Sequence, residues 1–153
     1  MVSLELRVPP LAIFVLVAVA MRSLAGIAPA LSFAFPGQTI LALGLVLAGV
    51  LIGALALGAF RRAQTTFHPM RPGEASTLVT SGVYRYSRNP MYLGVLLVLW
   101  GWAVHLDNAL AFIGLPVFVA YLNRFQIKPE ERALRAKFGA AYADYAKSVG
   151  RWL

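Results

Sequence analysis

Four apolar runs, separated by short polar stretches, form the main pattern of this chain. They occupy residues 8–27, 38–60, 91–106 and 109–123. A helix that crosses a bilayer needs about 20 consecutive, mostly apolar residues. The second run carries no charge, and only Asp107 and Asn108 separate the third run from the fourth, which favours a tight helical hairpin. The pattern predicts an all-α, integral-membrane helical bundle with about four transmembrane helices in one domain.

The apolar positions follow a different pattern after the fourth run. Pro129 suits the first position of a helix, and Glu130 and Glu131 then fall in its first turn, where acids favour the helix dipole. Apolar side chains recur every three or four residues beyond them, at Leu134, Phe138, Ala141, Tyr142, Tyr145, Val149 and Trp152. This spacing predicts one amphipathic helix over residues 129–149, lying on the membrane surface or against the bundle.

Two smaller patterns complete the organisation. Gly49 and Gly53 form a small-residue pair in the second run, which favours close helix packing in lipid. Residues 62–87 predict a non-helical segment, because prolines and glycines interrupt it at Pro69, Pro72, Gly73 and Gly82.

The composition agrees with a membrane protein. Hydrophobic residues make up 59% of the chain and charged residues 13%, whereas a soluble domain has about half and about a quarter. Without cysteine there are no disulfides and no thiolate metal ligands. His68 and His105 are far apart in the sequence, so no metal site is expected. One alternative stays open for the first run, a signal peptide cleaved at residues 28–30, and three apolar runs would then remain.

Basic residues predict the orientation of the helices. The net charge is +8, and the basic residues concentrate between the second and third runs and after the fourth. Basic segments beside membrane spans face the cytoplasm, so both termini and a site built from these segments are expected on the cytoplasmic side of the inner membrane. Nucleic-acid-binding proteins are also basic, but the position of these charges beside apolar runs favours membrane lipids over nucleic acid as the partner.

Two polar clusters carry candidate chemistry. One is residues 81–94, "SGVYRYSRNPMYLG", and the other is the pair Glu130 and Glu131. Each has a simpler interpretation, since Arg88 could anchor a helix at the headgroups and Asn89 could cap one. Together, on one face of the membrane, they predict a site for a small charged ligand. Free N–H groups at a helix start bind a carboxylate, a glutamate binds an ammonium group, and tyrosines flank a ring or a cation.

The segments "STLVTSGVYRYSRNPMYLG" and "PEERALRAKFGAAYADY" resemble the isoprenylcysteine carboxyl methyltransferase and phospholipid methyltransferase superfamily. Its members are integral-membrane enzymes that use S-adenosylmethionine. The resemblance covers residues 77–153, whereas the first two runs match only in being apolar. It implies that Glu130 binds the cofactor, and that further cofactor-binding positions are Ser76, Thr77, Leu78, Val79, Tyr84, Asn89, Pro90, Met91 and Tyr92.

The chain departs from that family at three positions. Eukaryotic members have histidine where Ser76 and Asn89 stand, and a substrate-contacting arginine where Gln126 stands. Arg124 is the candidate to replace that arginine. Glu131, or a tyrosine, is the candidate to accept a proton if the methyl acceptor is an amine, whereas a carboxylate acceptor would need no base.

These observations predict methyl transfer from S-adenosylmethionine to a lipophilic acceptor. That acceptor is either the carboxylate of a prenylated thiol compound or a lipid amine headgroup. Two alternatives belong to other classes. One is a non-enzymatic small multi-span membrane protein, and the other is a membrane reductase or isomerase on a related scaffold.

Overall fold

The computed structural model describes residues 5–65, 70 and 75–153, and these residues form an all-α protein. Its α-helices are α1 (Pro10–Ile27), α2 (Gln38–Arg62), α3 (Pro90–His105), α4 (Gly114–Tyr121), α5 (Lys128–Phe138) and α6 (Ala140–Ser148). Short 3-10 turns lie at Pro29–Leu31, Gly82–Arg85 and Ala109–Ile113. His68, Pro69, Pro72 and Gly73, used in the sequence predictions, lie outside the described residues.

Prolines and one glycine set where the first three helices begin. Pro10 and Pro90 occupy the first turns of α1 and α3, where a missing N–H costs nothing. Gly37 precedes α2 with a φ of 82°, a left-handed conformation that glycine adopts without strain.

The fourth apolar run and the tail form one continuous helix, unlike the two separate helices predicted over 109–123 and 129–149. A π-helical turn, Leu122–Ile127, joins α4 to α5, and the whole helix runs over Ala109–Phe138. Pro129 does not break it, although a proline leaves the carbonyl four residues earlier without its helical partner. That carbonyl, on Phe125, accepts a hydrogen bond from the backbone N–H of Leu6 at 3.0 Å.

The tail is divided at Gly139. This residue has φ 54° and ψ −123°, which ends α5 at Phe138 and redirects the chain into α6. The predicted single amphipathic helix over 129–149 is therefore two helices, because glycine permits a backbone conformation that other residues avoid.

Helices α2 and α3 pack closely through small residues. A Cβ atom added to Gly94 would lie 2.6 Å from the carbonyl oxygen of Gly49 and 3.1 Å from the backbone nitrogen of Gly53. The small-residue pair predicted in α2 is thus confirmed as a helix-packing surface.

The outer surface of the bundle is apolar. Leu16, Ile40 and Leu47 are 64%, 78% and 68% exposed, respectively, whereas Met21, Leu99 and Phe118 are fully buried between the helices. Among the described residues, α1, α2 and the helix Ala109–Phe138 are long and apolar enough to cross a membrane. Helix α3 has 16 residues, so the count of four crossings stays a prediction.

The bundle has two distinct ends. At the tail end, Glu5 pairs with Arg124 at 2.6 Å, which brings the first described residues next to the start of the tail. At the hairpin end, the connection between α1 and α2 meets the connection after α3, and Phe33 N–H donates to the Asp107 carbonyl at 2.8 Å. The described residues therefore begin and finish at the same end. Which side of the membrane that end faces stays a prediction.

Candidate functional site

A cleft lies at the tail end, between the end of α2, residues 75–92, α5 and α6. It contains most of the residues predicted from the sequence, namely Thr77, Leu78, Val79, Tyr84, Asn89, Met91, Tyr92, Glu130 and Glu131. It also contains Arg88, from the candidate cluster 81–94, and five residues that the sequence analysis did not assign to it, namely Phe60, Ala75, Leu134, Tyr142 and Tyr145. The segment before α3 and the two glutamates, predicted to lie on one face, share this cleft.

Glu130 lies in the cleft with neutral partners. Its Oε2 accepts a hydrogen bond from the Tyr92 hydroxyl at 3.0 Å. Gln126, which is buried, hydrogen-bonds to both Glu130 and Tyr92. None of the described residues forms an ion pair with Glu130. A partly buried carboxylate without a cation is well suited to a positively charged ligand.

Glu131, the next residue, is surrounded by cationic rather than neutral partners. Arg151 binds it through two hydrogen bonds, at 2.9 and 2.7 Å, and Arg88 Nη2 donates to it at 2.9 Å. Two guanidinium groups stabilise the carboxylate anion, which makes Glu131 a poor proton acceptor. The role of base predicted for Glu131 therefore gains no support from its contacts, which link three segments of the chain.

Arg88 donates hydrogen bonds to the tail, and one of its guanidinium donors, Nε, has no acceptor among the described residues. Its Nη1 donates to the carbonyls of Ala146 and Val149 at 2.6 and 3.1 Å. Its Nε is buried and has no hydrogen-bond partner among the described residues. A buried donor without a partner is costly unless a ligand supplies an acceptor. Arg88 is thus part of the cleft, which favours its membership of the candidate cluster 81–94 over the simpler role of a headgroup anchor.

The amino end of α3 forms the edge of the cleft. The helix begins at Pro90, as predicted, but the Asn89 side chain makes no capping hydrogen bond. It donates instead from Nδ2 to the Arg151 carbonyl at 2.9 Å. An uncapped helix start offers backbone N–H groups and the positive end of the helix dipole to an anion.

Aromatic side chains form part of the cleft wall. Phe60 packs edge-on against Tyr84 with ring centroids 5.5 Å apart, and the Tyr145 hydroxyl donates to the Tyr84 carbonyl at 2.7 Å. Burial raises the pKa of Tyr142 to about 12, and burial also raises the pKa values of Tyr84 and Tyr145. These hydroxyls are therefore neutral at physiological pH, so they are hydrogen-bonding groups rather than bases.

Three predicted site residues do not line the cleft. Ser76 is exposed and bonds to Thr65 Oγ1 through its backbone N–H at 2.9 Å. Pro90 is buried in the first turn of α3. Arg124 is exposed and pairs with Glu5. The proposed replacement of the family arginine by Arg124 is therefore not supported, because residues two positions apart on a helix face different directions.

Metal ligation has no candidate among residues 5–65, 70 and 75–153, since they contain no group of three histidine, aspartate or glutamate side chains that could hold an ion. The cleft instead combines a carboxylate without a cation, a buried donor without an acceptor, an uncapped helix and an aromatic wall. These groups are complementary to a ligand that carries an ammonium group, a carboxylate and a planar ring.

Comparisons with known proteins give the family. The model of the phospholipid methyltransferase family matches residues 37–141. Protein-S-isoprenylcysteine O-methyltransferase B of Arabidopsis thaliana is 33% identical over 107 residues, which are 70% of this chain and 54% of the plant protein. The Xenopus laevis protein-S-isoprenylcysteine O-methyltransferase is 37% identical over 76 residues, 50% of this chain and 26% of that protein.

An uncharacterized protein of Haemophilus influenzae is 46% identical over 63 residues, which are 41% of this chain and all of that protein. The chain spans about half the length of the plant relatives that it matches. No solved structure matches it.

The family match corrects the extent of the resemblance. It begins at residue 37 and includes α2, whereas the sequence motifs limited the resemblance to residues 77–153. It ends at residue 141, so most of α6 and the residues after it lie beyond the match, although Tyr142, Tyr145 and Arg151 contribute to the site. Because the match covers most of the chain, the chain belongs to the phospholipid methyltransferase family.

Proposed function

We propose that the protein is an integral-membrane methyltransferase that uses S-adenosylmethionine to methylate a lipophilic acceptor. The observation that carries this proposal is the meeting, in one cleft, of Glu130 with the uncapped start of α3 and the unpartnered Nε of Arg88. The names of the plant and amphibian relatives, both O-methyltransferases, support the same reaction class.

The groups in the cleft fit this cofactor. The start of α3 and Arg88 Nε would bind its carboxylate. Glu130 would bind its ammonium group, and the wall formed by Phe60, Tyr84 and Tyr142 would pack against its adenine ring. When bound, S-adenosylmethionine supplies an electrophilic methyl group on a sulfonium sulfur.

The residues of the chain contribute alignment and exclusion of water. Val79, Met91 and Leu134 make part of the cleft apolar, so an acceptor would react there in a dry environment. Holding two reactants in line removes much of the entropic barrier of a bimolecular reaction. This division of labour requires no proton transfer when the acceptor is already an anion.

The cleft suits a carboxylate acceptor better than an amine. An amine must lose a proton before it can accept a methyl group, and each candidate base in the described part of the cleft is paired, neutral or already assigned to the cofactor. Glu131 is neutralised by Arg88 and Arg151, the tyrosines are neutral, and Glu130 is assigned to the ammonium group. The proposed reaction is therefore O-methylation of a carboxylate on a lipophilic compound.

The proposed location is the cytoplasmic face of the inner membrane. Arg61, Arg62 and Arg85 lie at the tail end, as do the basic residues of α5. Clustered basic residues beside spans favour the cytoplasmic side. In this orientation, the soluble cofactor enters from the cytoplasm and the acceptor enters from the lipid.

Calorimetry on the protein in nanodiscs tests the proposal. S-adenosylmethionine and its demethylated product, S-adenosylhomocysteine, should each bind with one-to-one stoichiometry. Incubation with methyl-labelled cofactor and a membrane extract should then transfer label to an apolar product. A non-enzymatic membrane protein would bind neither compound, and a reductase or isomerase would transfer no label. Either result would contradict the proposed function.

A further inference from the structure

The residues that follow α6 cross the edge of the cleft and contact it at several points. We call residues 149–153 the strap. The backbone N–H of Arg88 donates to the Gly150 carbonyl at 3.0 Å. Arg151 binds Glu131 on α5, and Trp152 Nε1 donates to Asn123 Oδ1 in the π-helical turn at 3.2 Å. The strap therefore links the segment before α3, the π-helical turn and α5.

The strap fixes the orientation of the Asn89 amide. The Arg151 carbonyl can only accept a hydrogen bond, so the NH₂ group of Asn89 must face it, and the Nδ2–O distance is 2.9 Å. The amide is planar, so Oδ1 points away from the strap. Asn89 lines the cleft, and none of the described residues donates to its Oδ1, which can therefore accept a hydrogen bond from a ligand.

The same segment fixes the Arg88 guanidinium. The Val149 carbonyl accepts from Nη1 at 3.1 Å, and Glu131, itself held by Arg151, accepts from Nη2 at 2.9 Å. These contacts use the outer nitrogens of the guanidinium and leave Nε as the buried donor without a partner among the described residues. Thus one donor and one acceptor lie on Arg88 and Asn89, consecutive residues that both line the cleft.

We infer that the strap positions Arg88 and Asn89 to bind the amino-acid end of the methyl donor, with Arg88 Nε donating to its carboxylate and Asn89 Oδ1 accepting from its ammonium group. This inference rests on the proposed function. Arg151 and Trp152 are then positioning residues, because they act through Glu131, Asn89 and Asn123. Preorganised groups bind more tightly because less freedom is lost on binding.

The strap lies outside the part of the chain that matches the family model. The match ends at residue 141, before the strap, so this chain holds two residues inside the matched region with a segment outside it. The length of sequence between the partners, 62 residues for Asn89 and Arg151, makes the contact a product of the tertiary fold.

A comparison of two ligands tests the inference. S-adenosylhomocysteine has the amino-acid end, whereas methylthioadenosine has only the nucleoside and thioether. Both are measured by competition against radiolabelled S-adenosylmethionine, with the full chain in nanodiscs. In Arg151→Ala, we expect the Kd of S-adenosylhomocysteine to rise about tenfold and that of methylthioadenosine to change by less than about twofold.

Two further variants separate positioning from folding. Trp152→Phe keeps an aromatic ring but loses the hydrogen bond to Asn123, so it should produce a smaller change, about threefold, in the same ligand only. Lys147→Ala is the matched control, because Lys147 is exposed on α6 and its one ion pair within the described part of the chain is with Asp144. It should change neither Kd.

Equal weakening of both ligands in Arg151→Ala and Trp152→Phe would overturn the inference and leave the strap a structural element, with cofactor binding intact in the unsubstituted protein. Failure of the unsubstituted protein to bind S-adenosylmethionine would instead overturn the proposed function, and the positioning role with it.

Discussion

The two ends of the bundle use similar polar groups to different effect. At the hairpin end, Asn108 is fully buried, and its side chain donates to the Ala28 carbonyl at 2.7 Å and accepts from Leu110 N–H at 3.0 Å. Gln38 donates to the Val104 carbonyl at 2.8 Å and to the Asp107 carboxylate. Within the described residues, no buried side-chain nitrogen or oxygen of this network lacks a hydrogen-bond partner.

At the tail end, the polar groups are not all satisfied by the protein. Glu130 has neutral partners, Arg88 Nε has none among the described residues, and the start of α3 has no side-chain cap. A closed polar network stabilises a fold, whereas an open one can bind a ligand at little cost in rearrangement. The difference supports the proposal that the tail end holds the cofactor, with a structural role for the hairpin end.

Removing the charge of Glu130 should have the largest effect. Glu130→Gln keeps a hydrogen-bonding group for Tyr92 and loses the attraction for a cation. The affinity for S-adenosylmethionine should fall by about 100-fold, because truncating one side of a buried charge pair costs about 2–5 kcal/mol. Calorimetry measures the affinity, and thermal unfolding should stay within a few degrees of the parent. Unchanged affinity would remove Glu130 from the site.

Substituting one asparagine at each end should affect stability at the hairpin end and cofactor affinity at the tail end. Asn108→Ala leaves the Leu110 N–H without its acceptor among the described residues and removes one of the two donors to the Ala28 carbonyl, which keeps the Leu31 N–H. It also removes a fully buried side chain, so it should lower the free energy of unfolding by about 2–3 kcal/mol. The affinity of the molecules that remain folded should not change. Thermal unfolding in detergent, with calorimetry below the transition, measures both quantities.

Asn89→Ala should mainly weaken cofactor binding and have little effect on stability, the opposite of Asn108→Ala. It should weaken cofactor binding about tenfold while lowering the free energy of unfolding by less than about 1 kcal/mol, because the lost partner is one carbonyl at the cleft edge. If Asn89→Ala unfolds the protein and Asn108→Ala weakens binding, the assignment of the two ends is wrong.

The turn at Gly139 should show a smaller effect. Alanine there must adopt a φ of 54° with a ψ of −123°, a conformation that costs about 1–3 kcal/mol without glycine. Gly139→Ala should lower the unfolding temperature and weaken cofactor binding only slightly. Gly26→Ala in α1 is the control, since an added Cβ meets nothing within 4 Å and helical alanine is favourable. Its unfolding temperature should rise or stay constant.

The smallest expected effect is a loss of folding stability at alkaline pH. Burial raises the pKa of Tyr142 from 10 in the unfolded chain to about 12 in the folded protein. The folded state therefore keeps its proton longer, and the stability from this group is full below pH 10 and is lost as pH rises towards 12. Ultraviolet absorbance should show tyrosinate from the buried tyrosines only as the protein unfolds. Reversible titration of Tyr142 in the folded protein near pH 10 would contradict this environment.

The helices could be predicted because local sequence determines them. The apolar runs gave the positions of α1, α2 and α3 to within a few residues, and Asn89-Pro90 gave the start of α3. The continuous helix across Pro129 was missed, because the Phe125 carbonyl that the proline leaves free is bound by the distant Leu6 N–H. A contact across more than 100 residues leaves no local signal.

The site could be predicted in outline. The tyrosines and glutamates stood out because polar residues are rare in this chain, and the family resemblance assigned most of them. Arg88, Arg151 and Gln126 were missed or misassigned because their roles come from tertiary pairing with Glu131, Glu130 and Tyr92. Glu130 and Glu131 look equivalent in sequence, yet the described residues provide two arginine partners for Glu131 and no cation for Glu130.

Photolabelling tests the location of the cofactor most directly. The protein in nanodiscs is irradiated with methyl-labelled S-adenosylmethionine, with and without excess S-adenosylhomocysteine, and the labelled peptides are identified by mass spectrometry. Competable label should appear in peptides from residues 75–92 or 130–145. Competable label confined to the hairpin end, at residues 28–40 or 105–110, would contradict the assignment of the cofactor to the tail-end cleft.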